Sequence, residues 1–223
     1  IDKADFGRVS DSGILVKTSG NTGIVIQRNV IRDPRYRSTR WVECPGWDNH
    51  PYGPRAINIV AGVTKPGIGN VIRFNHIYAT NTTAGAVPLK NDANRFYDIL
   101  GVNFGQDLDI YGNTIRNGTD DAIEADNAAI NVRIWGNFSD DTFTGIATAA
   151  TSVGPMYIFR NISNLSIRSP YGASASTIDN EDRGPFNKCG SQDATYRGGR
   201  TFLFHNTILQ PVQSGYAYPR GMG

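Results

Sequence analysis

Four carboxylates fall within seven residues in Asp120-Asp121-Ala122-Ile123-Glu124-Ala125-Asp126, the densest acidic cluster of the chain. Two kinds of chemistry use such a grouping. A row of carboxylate oxygens holds Ca²⁺, and two carboxyls whose surroundings drive their pKa values apart serve as general acid and general base. Alternation makes the stretch a strand with Ile123 and Ala125 facing inward. Glu124 and Asp126 then share the outer side, their side chains starting ~7 Å apart. Asp120 and Asp121 precede the strand in a Gly118-Thr119 turn, where an aspartate pair also works as a turn cap. A solvated acidic stripe on a sheet face has the same pattern.

The elements that must position these groups follow from a repeat. An apolar-x-apolar-x-x-Asn pattern ends at Asn29, Asn75, Asn113, Asn137, Asn161 and Asn206, with successive spacings of 46, 38, 24, 24 and 45 residues. The unit is 24 residues, and the longer gaps are one unit plus an insertion. An earlier apolar strand is centred on Ile14, Ile59, Ile99, Ile123, Ile146 and Ile178, and a third short apolar piece follows each Asn. Three short strands per unit cannot pair as equal hairpins, but they stack at ~4.8 Å per layer. The fold expected is all-β, a parallel β-helix of about six coils with three short strands each, in one domain over residues 1–223. The recurring Asn sits where the chain turns inward, so its amides stack and satisfy one another. That use argues against glycosylation at Asn137 and Asn161, although both lie in sequons.

The totals agree with this reading. Lys and Arg number 22 against 20 Asp and Glu, which excludes a whole-surface field for nucleic acid or an anionic membrane. No apolar run reaches the ~20 residues needed to span a bilayer. Cys44 and Cys189 match no metal-ligand spacing, and the sequence carries no phosphate-binding glycine loop, zinc motif or nucleophile elbow.

The segments NVIRDP, GNVIRFNHIYA, DLDIYGNTIRN, DDAIEAD, NVRIWGN, GPMYIFRN and GGRTFLFHNTILQP resemble the secreted right-handed parallel β-helix proteins of the pectate-lyase-like superfamily. The resemblance implies a right-handed helix, an extracellular location and a polysaccharide partner. It does not select an activity, because the superfamily holds lyases, hydrolases, epimerases and tailspikes. Asp120-Asp121 is similar to the aspartate pair of its polygalacturonase-type hydrolases. The His-containing motif of those enzymes is replaced on the next coil by Thr144-Gly145-Ile146-Ala147-Thr148. The outer coils carry no evident polar cap, so the chain is expected to be a piece of a longer one, with end-to-end or lateral self-association open to it.

Insertions at residues 33–55, 80–96 and 179–199 would border the outer face of the first-strand sheet, where the superfamily places its glycan groove. The first carries Trp41, Trp47 and Tyr52, flat rings for sugars or for loop packing. His50, Arg55 and Lys90 are candidates for a lyase's base or carboxylate clamp. Asp121, Glu124 and Asp126 are the candidate Ca²⁺ ligands, Glu124 also the candidate catalytic carboxyl. Asp179 and Glu181, aligned through Ile178, extend the acidic row as substrate-binding candidates. His76 and His205 flank the Asn positions and read as structural. The expectation is a lyase of uronate-containing glycan. A glycoside hydrolase is the second enzymatic reading, and a glycan-binding or fibre-forming rod is the non-catalytic one.

Overall fold

The computed structural model describes residues 1–9, 11–17, 20–34, 53–60, 67–80, 95–103, 105–126, 130–149, 151, 153–166, 185–189 and 198–209. Among these the only regular elements are strands, two to six residues long. Every strand pairing is parallel. The all-β expectation therefore holds, and stacked parallel sheets are compatible with a parallel β-helix.

Three larger sheets share the chain. The first contains Ser12–Val16, Arg55–Val60, Leu100–Asn103, Asp121–Glu124, Thr144–Ala147 and Asn187–Lys188, in that order. The second runs Val25–Gln27, Val71–Arg73, Asp109–Tyr111, Val132–Trp135, Met156–Phe159 and Thr201–Phe204. The third has seven strands, from Asp5–Val9 to Thr207–Leu209. A two-stranded sheet pairs Gly67–Ile68 with Gly105–Gln106.

Apolar residues meet like residues across each sheet because strand neighbours lie in register. Ile26, Ile72, Ile110, Ile134 and Ile158 form one buried row. In the third sheet Ile31, Ile77 and Ile115 form another, which continues through Ser139 and Ser163. Val132 and Ile134 point to the core while Arg133 and Trp135 stay partly exposed, as alternation requires.

The residue before each repeating Asn takes the left-handed conformation, at Arg28, Phe74, Gly112, Gly136, Arg160 and His205 with φ between 54° and 64°. That bend directs the Asn inward. Each Asn Nδ2 donates to the Oδ1 of the next, at 2.9 Å from Asn29 to Asn75 and 3.0 Å for Asn75–Asn113, Asn113–Asn137, Asn137–Asn161 and Asn161–Asn206. The same Nδ2 also reaches a strand carbonyl, that of Ile110 for Asn137 and Ile134 for Asn161. Both sequon amides are thus committed and buried. A Cβ at Gly112 would lie 2.6 Å from the Phe74 ring, so the exposed ring would have to move to admit a side chain there.

Register corrects part of the sequence alignment. In the first sheet the aligned residues are Ile14, Ile57, Leu100, Ile123, Ile146 and Asn187. Ile59 and Ile99 are displaced from that row by two and one positions. The cause is a local doubling of buried residues, with Ala56-Ile57, Ile99-Leu100 and Ala122-Ile123 all inside. The backbone N–H groups of Ala56 and Ile57 both donate to the Ile99 carbonyl, at 2.9 and 3.1 Å, as at a β-bulge. Asn187 continues the row, and Ile178 lies outside the described residues. Lys188 therefore occupies the position aligned with Glu124 through Ala147, which the sequence alignment had given to the Asp179 and Glu181 segment. Asp179 and Glu181 themselves lie outside the described residues.

Candidate functional site

The doubled buried pair has a chemical consequence. Two successive inward residues break alternation, so residues three apart share the outer side of the first sheet. Arg55 and Asn58 do so on one strand, Asp121 and Glu124 on another, and Asp98 and Gly101 between them. The outer face thus gathers Arg55, Asp121 and Glu124 from two strands and Asp98 from the segment leading into the strand between them.

Oxygens of Asp98, Asp121 and Glu124 all lie within 4.8 Å of one another. Two cations enter this cluster from opposite ends. Arg55 Nη2 donates to Asp98 Oδ2 at 2.6 Å and lies 2.9 Å from Glu124 Oε2. Lys188 Nζ donates to Asp121 Oδ2 at 2.6 Å, passing Thr144 and Ala147 on the intervening strand. Gly101 makes room for the first arm, since a Cβ there would stand 3.1 Å from Arg55 Nη1. Asp98 and Asp121 are almost fully buried, with 2% and 1% of the side chain exposed, while Glu124 and Lys188 keep 16% and 41%. Glu124 and Lys188 are the groups a ligand on this face meets most readily.

Burial acts on all of these groups and is opposed where a partner is close. It raises the Asp98 carboxyl well above the usual range, helped by Glu124, Asp120 and Asp121 and opposed by Arg55. Glu124 is pushed up to about 7, by burial with Asp126 and Asp121 adding to it and Arg55 holding it down. Asp126 also reaches about 7, by burial and Asp121, against Lys188 and the hydrogen bond its Oδ1 accepts from the Ala149 N–H at 2.7 Å. Burial works against the charge on Lys188, but Asp121 and Asp120 outweigh it and the ammonium holds its proton more tightly than usual. Arg55 behaves likewise against Asp98 and Glu124. Its guanidinium also lies 5.8 Å from the centroid of the Tyr97 ring.

The expected site is thus partly assembled. Arg55, Asp121, Glu124 and Asp126 fall on one face, but Asp126 reaches towards Ala149 while Asp98 takes its place in the triad. Asp98 and Lys188 were missed. A repeated charged-apolar-apolar step, Arg55-Ala56-Ile57, Asp98-Ile99-Leu100 and Asp121-Ala122-Ile123, was the signal for Asp98. Lys188 follows the buried Asn187 within the 179–199 insertion and had no such marker. His50, Lys90, Trp41, Trp47 and Tyr52 lie outside the described residues. So does Cys44, while Cys189 is on the surface.

Three carboxylate oxygens are the right donors for Ca²⁺ in type, but the site does not fit the ion as it stands. Arg55 Nη2 already sits against two of the three carboxylates at 2.6 and 2.9 Å, close to the 2.3–2.6 Å that Ca²⁺ would take. Lys188 holds the third. Comparison with family models, with curated proteins and with solved structures gave no match.

Proposed function

We propose that this chain is a right-handed parallel β-helix of about six coils, related to the pectate-lyase-like superfamily, and that it acts outside the cell on a polysaccharide lying across the outer face of its first sheet. The reaction is hydrolysis of a glycosidic bond by acid–base catalysis. The observation that carries it is the grouping, within 4.8 Å, of the carboxyl oxygens of Asp98, Asp121 and Glu124, of which Glu124 is the most exposed, with Arg55 between Asp98 and Glu124 and Lys188 on Asp121. A proton-holding carboxyl beside an ion-paired one, here Glu124 beside the Lys188-bound Asp121, is the division of labour glycosidic cleavage needs. Glu124 donates a proton to the departing oxygen as the glycosidic C–O bond breaks, the ion-paired Asp121 faces the positive charge that develops on the sugar ring, and water bonds to the sugar carbon and returns a proton to Glu124.

Hydrolysis is preferred to the lyase reading on the described residues alone, His50 and Lys90 lying outside them, because elimination needs a base with a free electron pair beside the uronate carbon. Among the described residues, Arg55 and Lys188 are bonded to carboxylates and hold their protons more tightly than usual. The test is incubation with pectate, alginate, glycosaminoglycan and neutral-glycan panels. Reducing ends should appear without growth of the unsaturated-uronate absorbance, and be lost in Glu124→Gln. Absorbance growth would restore the lyase. Binding without either product would reduce the chain to a glycan-binding module.

A further inference from the structure

Arg55 Nη2 lies between Asp98 Oδ2 and Glu124 Oε2, at 2.6 and 2.9 Å, and so fills the space between two of the three carboxylates. Lys188 Nζ makes the equivalent contact with Asp121 at 2.6 Å. The sheet has been shaped to let them in, since Gly101 lies under the Arg55 arm and Ala147 sits between Lys188 and the Glu124 strand. We propose that Arg55 and Lys188 are built-in counter-cations holding the places of a divalent ion, and that removing them turns Asp98, Asp121 and Glu124 into a divalent-cation site.

A second observation completes the oxygen set. Asp121 Oδ1 and Thr144 Oγ1 are buried, and neither has a hydrogen-bond partner among the described residues. The two residues are direct register partners on adjacent strands, ~4.8 Å apart along the sheet. Together with the carboxylates of Asp98 and Glu124 they are hard oxygen donors from two strands and the segment before a third, which is the ligand type Ca²⁺ selects. Charge supports the same view. Buried carboxylates left without a cation either protonate or capture one. The native chain meets that need with its own side chains. A variant lacking them must meet it with protons or with a metal.

This inference does not depend on the polysaccharide reading, and its test needs no substrate. The full chain, the double variant Arg55→Gln/Lys188→Gln and the single variant Lys188→Gln are titrated with CaCl₂ by calorimetry at pH 8. Melting is followed with 10 mM CaCl₂ or with EDTA. The native chain should give no binding heat and the same Tm in both. The double variant should bind one Ca²⁺ with a Kd on the order of 0.1 mM and gain about 5 °C in Tm, and Asp98→Asn added to it should remove both effects. If the double variant folds only with Ca²⁺ present, that also supports the proposal. If it does not fold under either condition, Lys188→Gln decides, with weaker Ca²⁺ binding expected at the Asp121 side. Stoichiometric Ca²⁺ binding by the native chain that is lost in Asp98→Asn would overturn the proposal. So would a folded double variant, or failing that a folded Lys188→Gln, that gives no binding heat.

Discussion

The second sheet and the first present opposite uses of the same stacking. On the outer side of the second, like sits on like. Tyr111, Trp135, Phe159 and Phe204 stack ring on ring, with centroids 4.3, 6.0 and 5.0 Å apart and planes within 8° of parallel. The buried Asn row does the same with amides. On the outer side of the first sheet no single residue type runs through the row. Arg55, Asp98, Asp121 and Thr144 succeed one another, and each needs a neighbour of another kind. Repetition satisfies every group locally, and its loss leaves perturbed carboxyls and orphan oxygens. Chemistry is expected where the repeat fails.

The largest difference between the two regions should appear in Glu124→Gln. The amide keeps the volume of the carboxyl and removes only its proton. Turnover of whichever glycan is cleaved should fall by about 10²–10⁴-fold with little change in KM, the usual range for losing a general acid. Stability at pH 8 should stay equal or rise, because the native side chain is ionised there at a cost. A parallel fall in activity and stability would mean that Glu124 is a structural member of the ion-pair cluster.

Asn137→Ala strikes the repetitive region instead. Asn137 accepts from the Asn113 N–H and Nδ2 and donates to Ile110 O and Asn161 Oδ1. Alanine leaves several buried polar groups without partners, at ~1–3 kcal/mol each where no relaxation occurs. A loss of ~3–5 kcal/mol by urea denaturation is expected, with no specific effect on the acidic face. A loss below ~1 kcal/mol would show that the row is ornamental to stability.

Acid should stabilise this protein over a range where most proteins weaken. Glu124 and Asp126 hold protons up to about pH 7 in the folded state and release them near 4 when unfolded. Asp98 is raised in the same direction, and Arg55, Asp121 and Lys188 are the charges facing them. The native state therefore binds more protons than the unfolded one between pH 4 and 7. Stability falls as pH rises through that window and levels off above it. A drop of ~2–4 kcal/mol between pH 5 and pH 8 is expected, and Glu124→Gln/Asp126→Asn should flatten it.

The sequence carried the repetitive region better than the unique one, for a physical reason. A buried amide row imposes one residue type at one phase, so the Asn positions and the outward Arg133 and Trp135 could be read directly. The acidic face depends on a doubled inward pair, Ala122-Ile123 and its neighbours, which shifts the outward phase by one. Strict alternation carried past that point excludes Asp121 from Glu124's side, and it hides Asp98 altogether. Lys188 reaches the cluster across an intervening strand, a contact 67 residues distant in sequence that no local pattern announces.

The aromatic stack gives the smallest effect and the finest discrimination. Phe159 lies between Trp135 and Phe204, with interplanar angles of 8° and 3°, and its ring is only partly covered. Leucine keeps most of the apolar contact and loses the ring geometry. Aromatic pairs contribute ~0.5–1.5 kcal/mol beyond their buried area, so Phe159→Leu should cost ~1–2 kcal/mol. In a double-mutant cycle with Phe204→Leu the coupling should be ~0.5–1 kcal/mol, and with Asn137→Ala near zero. Strong coupling to Asn137 would mean that the outer rings and the inner amides set the strand spacing jointly, and that the repetitive region is one cooperative unit rather than independent rows.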